Sequence, residues 1–393
     1  MGHFPLFAHG RSPLAKSGPS KHFGVSARHP ARHPARHPAL VTRLRSAPSR
    51  SSSAPARRAE VPRVLLIGGS INQTSMLHEV GRALTDAQCV YTPYYTDGYL
   101  EALNRLGLLD FTVAGHGGQF RKKTEAYLRD HALPVDEGGQ LADYDLVVTG
   151  SDLIIQRNIR HKPIVLVQEG MTDPENLAYH LVRHLKLPRW IASTSTTGLS
   201  LAYRKFCVAS EGYRDFFVAK GIPAERLVVT GIPNFDHCAR LNDNSYPDRG
   251  YVLVATSDTR ETLKFDSRRR FLLWAKGCVA GRRVVFKLHP NENAERAARE
   301  IHEVFPGAEV TQVGNTEAMI ANASALITQY STVVYIGLAL GKECHSYYDV
   351  AQLARMTPMQ NGGTSATRIA EVCREVIAAS AADVAASWHR AAS

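Results

Sequence analysis

The chain has 393 residues, 44% of them hydrophobic, and a formal net charge of +11, which is length enough for two domains with separate cores. Residues 1–63 hold twelve Lys and Arg against a single acid, Glu60, so the whole excess lies there and the remainder is balanced. That excludes a nucleic-acid-binding field over the folded part, and the lack of any long apolar run excludes a membrane-spanning helix.

Residues 1–60 are of low complexity. ARHP recurs at Ala27–Pro30, Ala31–Pro34 and Ala35–Pro38, and 49–53 is almost entirely Ser and Arg. Such a composition cannot bury a core and predicts a disordered tail. Being rich in Arg and Ser and poor in acids, it equally suits an organelle transit peptide, a translated stretch upstream of the true start, or a tail that touches acidic surfaces.

The pattern changes at Val61. Val64–Ile67 reads as a buried parallel strand, Gly68-Gly69-Ser70 as a turn, and Gln73–Leu84 as a helix. This first βα unit lacks GxGxxG, which gives dinucleotide binding little weight. Further strands are predicted at Phe111–Ala114, before Gly115-His116-Gly117-Gly118 and a helix over Lys122–His131. Others follow at Asp145–Thr149, ending Gly150-Ser151-Asp152, and at Ile164–Val167, ending Gln168-Glu169-Gly170. Trp190–Ala192, Phe206–Val208 and the run from Leu227 complete the half. The alternation predicts an α/β fold with a doubly wound parallel sheet over residues 61–236. A polar, turn-rich linker is expected at 237–250.

A second series of the same kind spans 251–393. It has a strand at Tyr251–Ala255, a helix over Glu261–Lys276, a strand at Val284–Lys287 and a helix over Glu292–Val304. Glu309–Gln312 and Ala325–Ile327 are further strands. The apolar run Val333–Leu340, stopped by Gly341-Lys342, reads as a helix with a glycine C-cap. Its start at Ser331-Thr332 presents backbone N–H groups and two hydroxyls, which suits a phosphate, and the ordinary role of serine as an N-cap stays open beside it. His289 ends the neighbouring strand and would open into the same crevice. The last helix, Ser365–Ala379 with an Ala-rich extension to Trp388, is expected to pack back across the first domain. Six scattered cysteines (Cys89, Cys207, Cys238, Cys278, Cys344 and Cys373), without CxxC pairs, predict neither a zinc site nor a disulfide framework and fit a reducing compartment.

The KLHP segment Lys287–Pro290, followed by a strand that ends LIT-x-YS-[ST] at Leu326–Thr332, resembles the C-terminal half of the CDP-glycerol glycerophosphotransferase family. It is also similar to the UDP-N-acetylglucosamine 2-epimerases and other enzymes of the GT-B fold. CVASEGYRDFFVAKGIPAERLVVTGIPNFD, Cys207–Asp236, looks like the stretch that ends the first domain in such enzymes, and the resemblance covers nearly all of 62–375. It implies two Rossmann-like domains facing across a cleft, with donor on the second and acceptor on the first. Ser331 and Thr332 would meet the donor phosphates and His289 the pyrophosphate. Ser257 and Arg260 match a phosphate-contacting loop, with a capped, solvated arginine as the alternative. Glu317 would hold ribose hydroxyls or cap its helix with Thr316, and Gly69 and Ser70 would approach the donor phosphate or the acceptor.

Transfer to a hydroxyl needs a proton acceptor. The glycerophosphotransferases carry a His in an HG segment and the epimerases a Glu in an EAG segment; VQEG here makes Glu169 the first candidate. His116 is the second. Asp152 is the third, with a helix cap as its alternative. Neither a DxD run nor a cluster of His and Asp at ligand spacing occurs, which predicts a metal-independent reaction with no cofactor beyond the nucleotide-activated donor. The expected function is transfer of a sugar or polyol phosphate from a nucleotide-sugar or CDP-polyol to a glycan or polyol acceptor, in glycan or cell-envelope polymer synthesis. A 2-epimerase is the alternative, although it needs several carboxylates and only Glu169, Asp97 and Asp152 offer themselves. A non-catalytic nucleotide-binding module is kept open by Glu in place of His at 169. The location expected is the cytoplasm, with room for peripheral contact at the inner face of the membrane and for a homodimer.

Overall fold

The computed structural model describes residues 61–110, 112–257 and 267–392, the helix beyond residue 383 by its backbone alone. The tail expected over 1–60 lies outside the described residues. The apolar runs from Val64 onward become β1 (Arg63–Gly68), β2 (Gln88–Pro93), β3 (Leu146–Thr149), β4 (Ile164–Val167), β5 (Lys205–Val208) and β6 (Leu227–Val229). All pair in parallel, in the order β2-β1-β3-β4-β5-β6. The second series gives β7 (Val252–Ala255), β8 (Val284–Lys287), β9 (Glu309–Thr311), β10 (Ala325–Thr328) and β11 (Glu343–His345), again parallel, in the order β11-β10-β7-β8-β9. Strands buried along their whole length, such as LVVT in β3 and VLVA in β7, are what a sheet covered on both faces demands.

The covering helices are α1 (Ile71–Ala83), α2 (Gly98–Arg105), α3 (Gln119–Asp130), α4 (Leu177–Leu185) and α5 (Glu211–Ala219) in the first lobe. The second has α6 (Arg268–Val279), α7 (Ala294–Val304), α8 (Thr316–Asn322), α9 (Val334–Ala339) and α10 (Val350–Met356). The last helix, α11 (Ser365–Ala392), follows the second sheet in the chain but packs on the first. Its Ile369, Ala370, Cys373 and Val376 join Val64 and Leu66 of β1 and Met76, Leu77 and Val80 of α1 in one core cluster. On the opposite face Leu65 and Ile67 meet Tyr213 and Phe217 of α5, and this core continues into Val334 and Tyr335 of α9 and Leu353 and Met356 of α10. The lobes are therefore joined by apolar packing as well as by chain.

The two chain crossings between lobes are fastened together. Asp236 accepts from the Ser365 backbone N–H at 2.9 Å, and Asn361 donates to the Thr230 carbonyl at 3.1 Å. Gln360 accepts from Cys238 N–H at 2.9 Å. Segment 237–250 carries a 3₁₀ turn, Cys238–Asn242, whose buried Cys238 packs with Tyr251 and Leu253.

Two predicted strands are absent. Residues 112–114 form turns, with Thr112 and Gly115 N–H groups bonded to the carbonyls three residues back, and Phe111 lies outside the described residues. Asp110 accepts from Gly117 N–H at 2.9 Å, and Gly115 and Gly118 lie against the Leu109–Asp110 backbone, so the run folds onto itself and never reaches the sheet. Trp190–Ala192 belongs to a 3₁₀ segment, Arg189–Thr196, directed by Pro188 at its N-cap. In both cases three or four apolar residues imitate a strand but, as described, pair with no strand of the sheet. The helix expected over Glu261–Lys276 is observed as Arg268–Val279, and 261–266 lie outside the described residues.

Candidate functional site

In the first sheet the strand order reverses between β1 and β3, and in the second between β7 and β10. Such switch points leave a crevice beyond the carboxyl ends of the strands. A cleft of about 700 Å³ opens there between the lobes. The first lobe lines it with Ser70, Ile71, Asn72, Ser75 and Glu79 of α1 and with Gln119, Phe120, Lys123 and Tyr127 of α3. The second contributes Thr256, Lys287, His289, Glu317, Ser331 and Val333, and the fastened crossings add Asp236 and Arg240.

The far wall is cationic. Lys287 is 4% exposed, and its ammonium donates to the carbonyls of Gln312 at 2.9 Å and Leu288 at 3.2 Å. Among the described residues it has no carboxylate partner, and burial pulls its pKa below the usual lysine range. His289 follows it, half-buried. Its backbone N–H donates to Glu292 Oε2 at 2.8 Å, and its Nδ1 accepts from the Asn291 N–H at 3.3 Å. Glu292 also pairs with Arg268 and accepts from the Thr256 hydroxyl, both charged groups being nearly fully buried. One carboxylate thus ties the loop after β8 to the end of β7 and to α6. Lys123 and Arg240, both exposed, add positive charge without an ion-pair partner among the described residues.

Ser331 lines the cleft, and neither its hydroxyl nor that of Thr332 hydrogen-bonds to a described residue. The helix behind them is shorter than expected. α9 starts at Val334 and runs six residues, preceded by a turn in which Val334 and Tyr335 N–H groups bond the Ser331 and Thr332 carbonyls. Any attraction for an anion there is that of a few local N–H groups and hydroxyls rather than of a long macrodipole.

Glu169 does not itself line the cleft but is hydrogen-bonded to Ser70, which does. Its Oε1 accepts from Ser70 Oγ at 2.7 Å and its Oε2 from Gln73 Nε2 at 2.6 Å. Burial raises the Glu169 pKa above the usual carboxylate range, while those two hydrogen bonds pull it the other way. Ser70 is the N-cap of α1, accepting from Gln73 N–H at 3.1 Å, and it stands between Glu169 and the cleft. Gly69 does not face the cleft: its N–H is taken by Gln73 Oε1 at 2.9 Å. Beside Glu169, Gly170 sits so close to Thr332 that a Cβ there would lie 2.7 Å from the threonine Cγ2. The end of β4 and the turn after β10 therefore meet across the lobe boundary.

Of the other sequence candidates, Ser257 is buried behind the cleft, donating to Gln329 at 3.1 Å, and Arg260 lies outside the described residues. His116 is not brought to the cleft. Its ring faces Glu101 Oε2 at 3.0 Å and Arg121 Nη1 at 3.4 Å, and its N–H donates to Asn104. The capping role for Glu317 is replaced: Asn315 caps α8, accepting from the N–H groups of 317 and 318, and leaves the Glu317 carboxylate in the cleft lining. Asp152 is no helix cap; buried, it accepts from Gly198 and Ser200 N–H groups at 2.9 and 3.0 Å. Asp97 pairs with Arg157 away from the cleft. Gln73 and Glu292 were missed. Gln73 completes an S-x-x-Q sequence from Ser70, the capping-box spacing that flags a side chain turned back over the helix start. Nothing in the composition marks Glu292 beyond its place three residues after His289. Among the described residues no group of three or more His, Cys, Asp and Glu is placed to hold a metal, and no helix is long and apolar enough to cross a membrane.

Two Rossmann-like α/β lobes face each other across a cleft. Comparison with protein-family models and with curated proteins finds no match. Among solved structures the chain is similar to the UDP-GlcNAc 2-epimerase of Methanocaldococcus jannaschii in complex with UDP-GlcNAc and UDP, at 14% identity, covering 80% of this chain and 99% of that one, with a TM-score of 0.49. The UDP-GlcNAc 2-epimerase of Neisseria meningitidis bound to UDP-GlcNAc is similar at 11% identity, over 80% of this chain and 100% of that one, TM-score 0.47. The wall teichoic acid polymerase TagF is similar at 10% identity, over 80% and 88%, TM-score 0.43.

Proposed function

We propose that the protein transfers a sugar or polyol phosphate from a nucleotide-diphosphate donor to a hydroxyl acceptor. The observation that carries this is the pairing, at one cleft, of a buried lysine and two hydroxyls that have, among the described residues, respectively no carboxylate partner and no hydrogen bond, with a carboxylate of raised pKa behind a serine on the other wall. The donor diphosphate lies against Lys287, His289 and the turn at Ser331-Thr332, where charge-assisted hydrogen bonds replace its hydration. Glu317 is left to meet hydroxyls of the nucleoside.

The acceptor enters along α1. Its hydroxyl gives a proton to Ser70 Oγ as Ser70 passes its own proton to Glu169, whose raised pKa makes it a stronger base than an ordinary carboxylate. The acceptor oxygen bonds to the transferred carbon or phosphorus, and the bond from that atom to the departing phosphate oxygen breaks. The negative charge that appears on the leaving nucleotide is met by Lys287 and His289, placed before the reaction begins. The carboxylates expected of an epimerase site, Asp97 and Asp152, are engaged elsewhere, which favours transfer.

Calorimetric titration with UDP, CDP, GDP and dTDP tests the donor half, Lys287→Met being expected to weaken the preferred diphosphate at least tenfold, since a hydrogen bond to a charged group contributes about 1.5–3 kcal/mol. Equal affinity in wild type and variant removes the donor site from this wall. Incubation with UDP-N-acetylglucosamine and no acceptor tests the chemistry, and the appearance of the 2-epimer overturns the transferase reading.

A further inference from the structure

We propose that the outer face of α4, with the turn that follows it, is a docking surface for an anionic lipid bilayer. The helix carries Leu177, Leu181 and Leu185 at four-residue spacing, hence on one stripe, and they are 74%, 44% and 63% exposed. A folded chain rarely leaves such a stripe to water. Its buried side is different: Tyr179 and Val182 pack with Ala192 of the following 3₁₀ segment in a small cluster of their own. The hairpin of α4 and that segment is thus a stiff platform with its apolar side outward.

Charge names the occupant. From Leu177 to Ile191 the chain contains Arg183, Lys186 and Arg189, two histidines, and no Asp or Glu. His180 and His184 border the leucine stripe on the helix, and Arg183 and Lys186 are exposed beside it. Leu187 and Ile191 extend the apolar side beyond the helix end. Trp190 donates its indole N–H towards the hydroxyl of exposed Tyr99 at 3.4 Å, an aromatic pair of the kind that sits at the level of lipid headgroups. A leucine face bordered by Arg183, Lys186 and Arg189, with exposed Glu175 as the acid just before the helix, matches an interfacial helix on acidic lipids, where burial of the leucines and attraction to the headgroups add. The inference stands apart from the proposed chemistry, which concerns the cleft.

The test uses the full chain and vesicles of phosphatidylcholine with or without phosphatidylglycerol. Trp190 is read as the difference between wild type and Trp190→Phe, with brominated lipid as quencher, so that vesicle binding through the basic residues 1–63 is told apart from insertion at α4. The expected result is a blue-shifted, quenched Trp190 on acidic vesicles only. The pair Leu181→Glu and Leu185→Glu, at exposed positions that leave the fold intact by circular dichroism, should abolish the quenching, and Arg183→Gln with Lys186→Gln should weaken it about tenfold or more. Co-sedimentation without Trp190 quenching overturns the proposal in favour of the basic tail. A dimer in sedimentation velocity that the leucine variant dissociates overturns it in favour of a second copy of the chain.

Discussion

Removal of the Glu292 carboxylate should cost more stability than any other single change in the second lobe. Glu292 and Arg268 are each 5% exposed, Arg268 Nε and Nη1 lack hydrogen-bond partners among the described residues, and Glu300 approaches Nε only to 3.9 Å, so Glu292 is the carboxylate hydrogen-bonded to this guanidinium. Glu292→Ala leaves the buried Arg268 charge with only Glu300, 3.9 Å away, as a carboxylate neighbour among the described residues, and strands the Thr256 hydroxyl and the His289 N–H, which Glu292 also served. Breaking a buried pair in this way costs about 3–5 kcal/mol. At roughly 3 °C per kcal/mol for a unit of this size, the melting temperature should fall by about 10 °C or more. Arg268→Met combined with Glu292→Leu removes both charges and should recover most of that loss, because an apolar pair of similar volume is often neutral. Scanning calorimetry of the wild type, both single variants and the double variant closes the cycle. The double variant should still bind diphosphate poorly, since the loop carrying His289 has lost its anchor. A double variant no more stable than Glu292→Ala, or a loss under 1 kcal/mol in Glu292→Ala, would refute the reasoning.

Three further outcomes are expected. Because the Glu169 pKa is raised in the folded state, the stabilising proton is fully held below the ordinary carboxylate pKa and lost as pH rises through the folded value; Glu169→Gln should therefore be more stable than wild type at neutral pH while losing turnover, measured by urea melts across pH alongside product assays. Ser70→Ala breaks the proposed relay and removes one of the two hydrogen bonds that lower that pKa, so kcat should fall and the acid limb of the residual kcat/KM should move to higher pH; an unmoved limb would separate Glu169 from the rate. Gly170→Ala pushes a methyl against Thr332 and should lower kcat with little loss of stability, Thr332→Ser partly restoring it, as read in a double-mutant kinetic cycle.

Most of the fold was legible because buried parallel strands write themselves as unbroken apolar runs. Val64–Ile67, Ile164–Val167 and Ala325–Ile327 all became strands within a residue or two. Phe111–Ala114 and Trp190–Ala192 misled for the same reason: a short apolar run says nothing about whether a sheet has an open edge. At the site, His289 and Ser331 were found from their strand ends, and both line the cleft with Ser70 and Glu317. Lys287 stands in the strand Val284–Lys287, whose period does not say where its long side chain ends; the ammonium turns to the carbonyls of Leu288 and Gln312. Glu292 was invisible because its partners, Arg268 and Thr256, lie 24 and 36 residues upstream.

The course of α11 bears on how the polypeptide comes to be folded at all. Its Ile369 and Cys373 are wholly buried against β1 and α1, residues made some three hundred positions earlier. During synthesis the second lobe can close as soon as its own strands emerge, whereas the first must wait, one oily flank uncovered, for α11 to leave the ribosome. Nascent chains halted before Ser365 are accordingly the species on which a chaperone would be expected to linger.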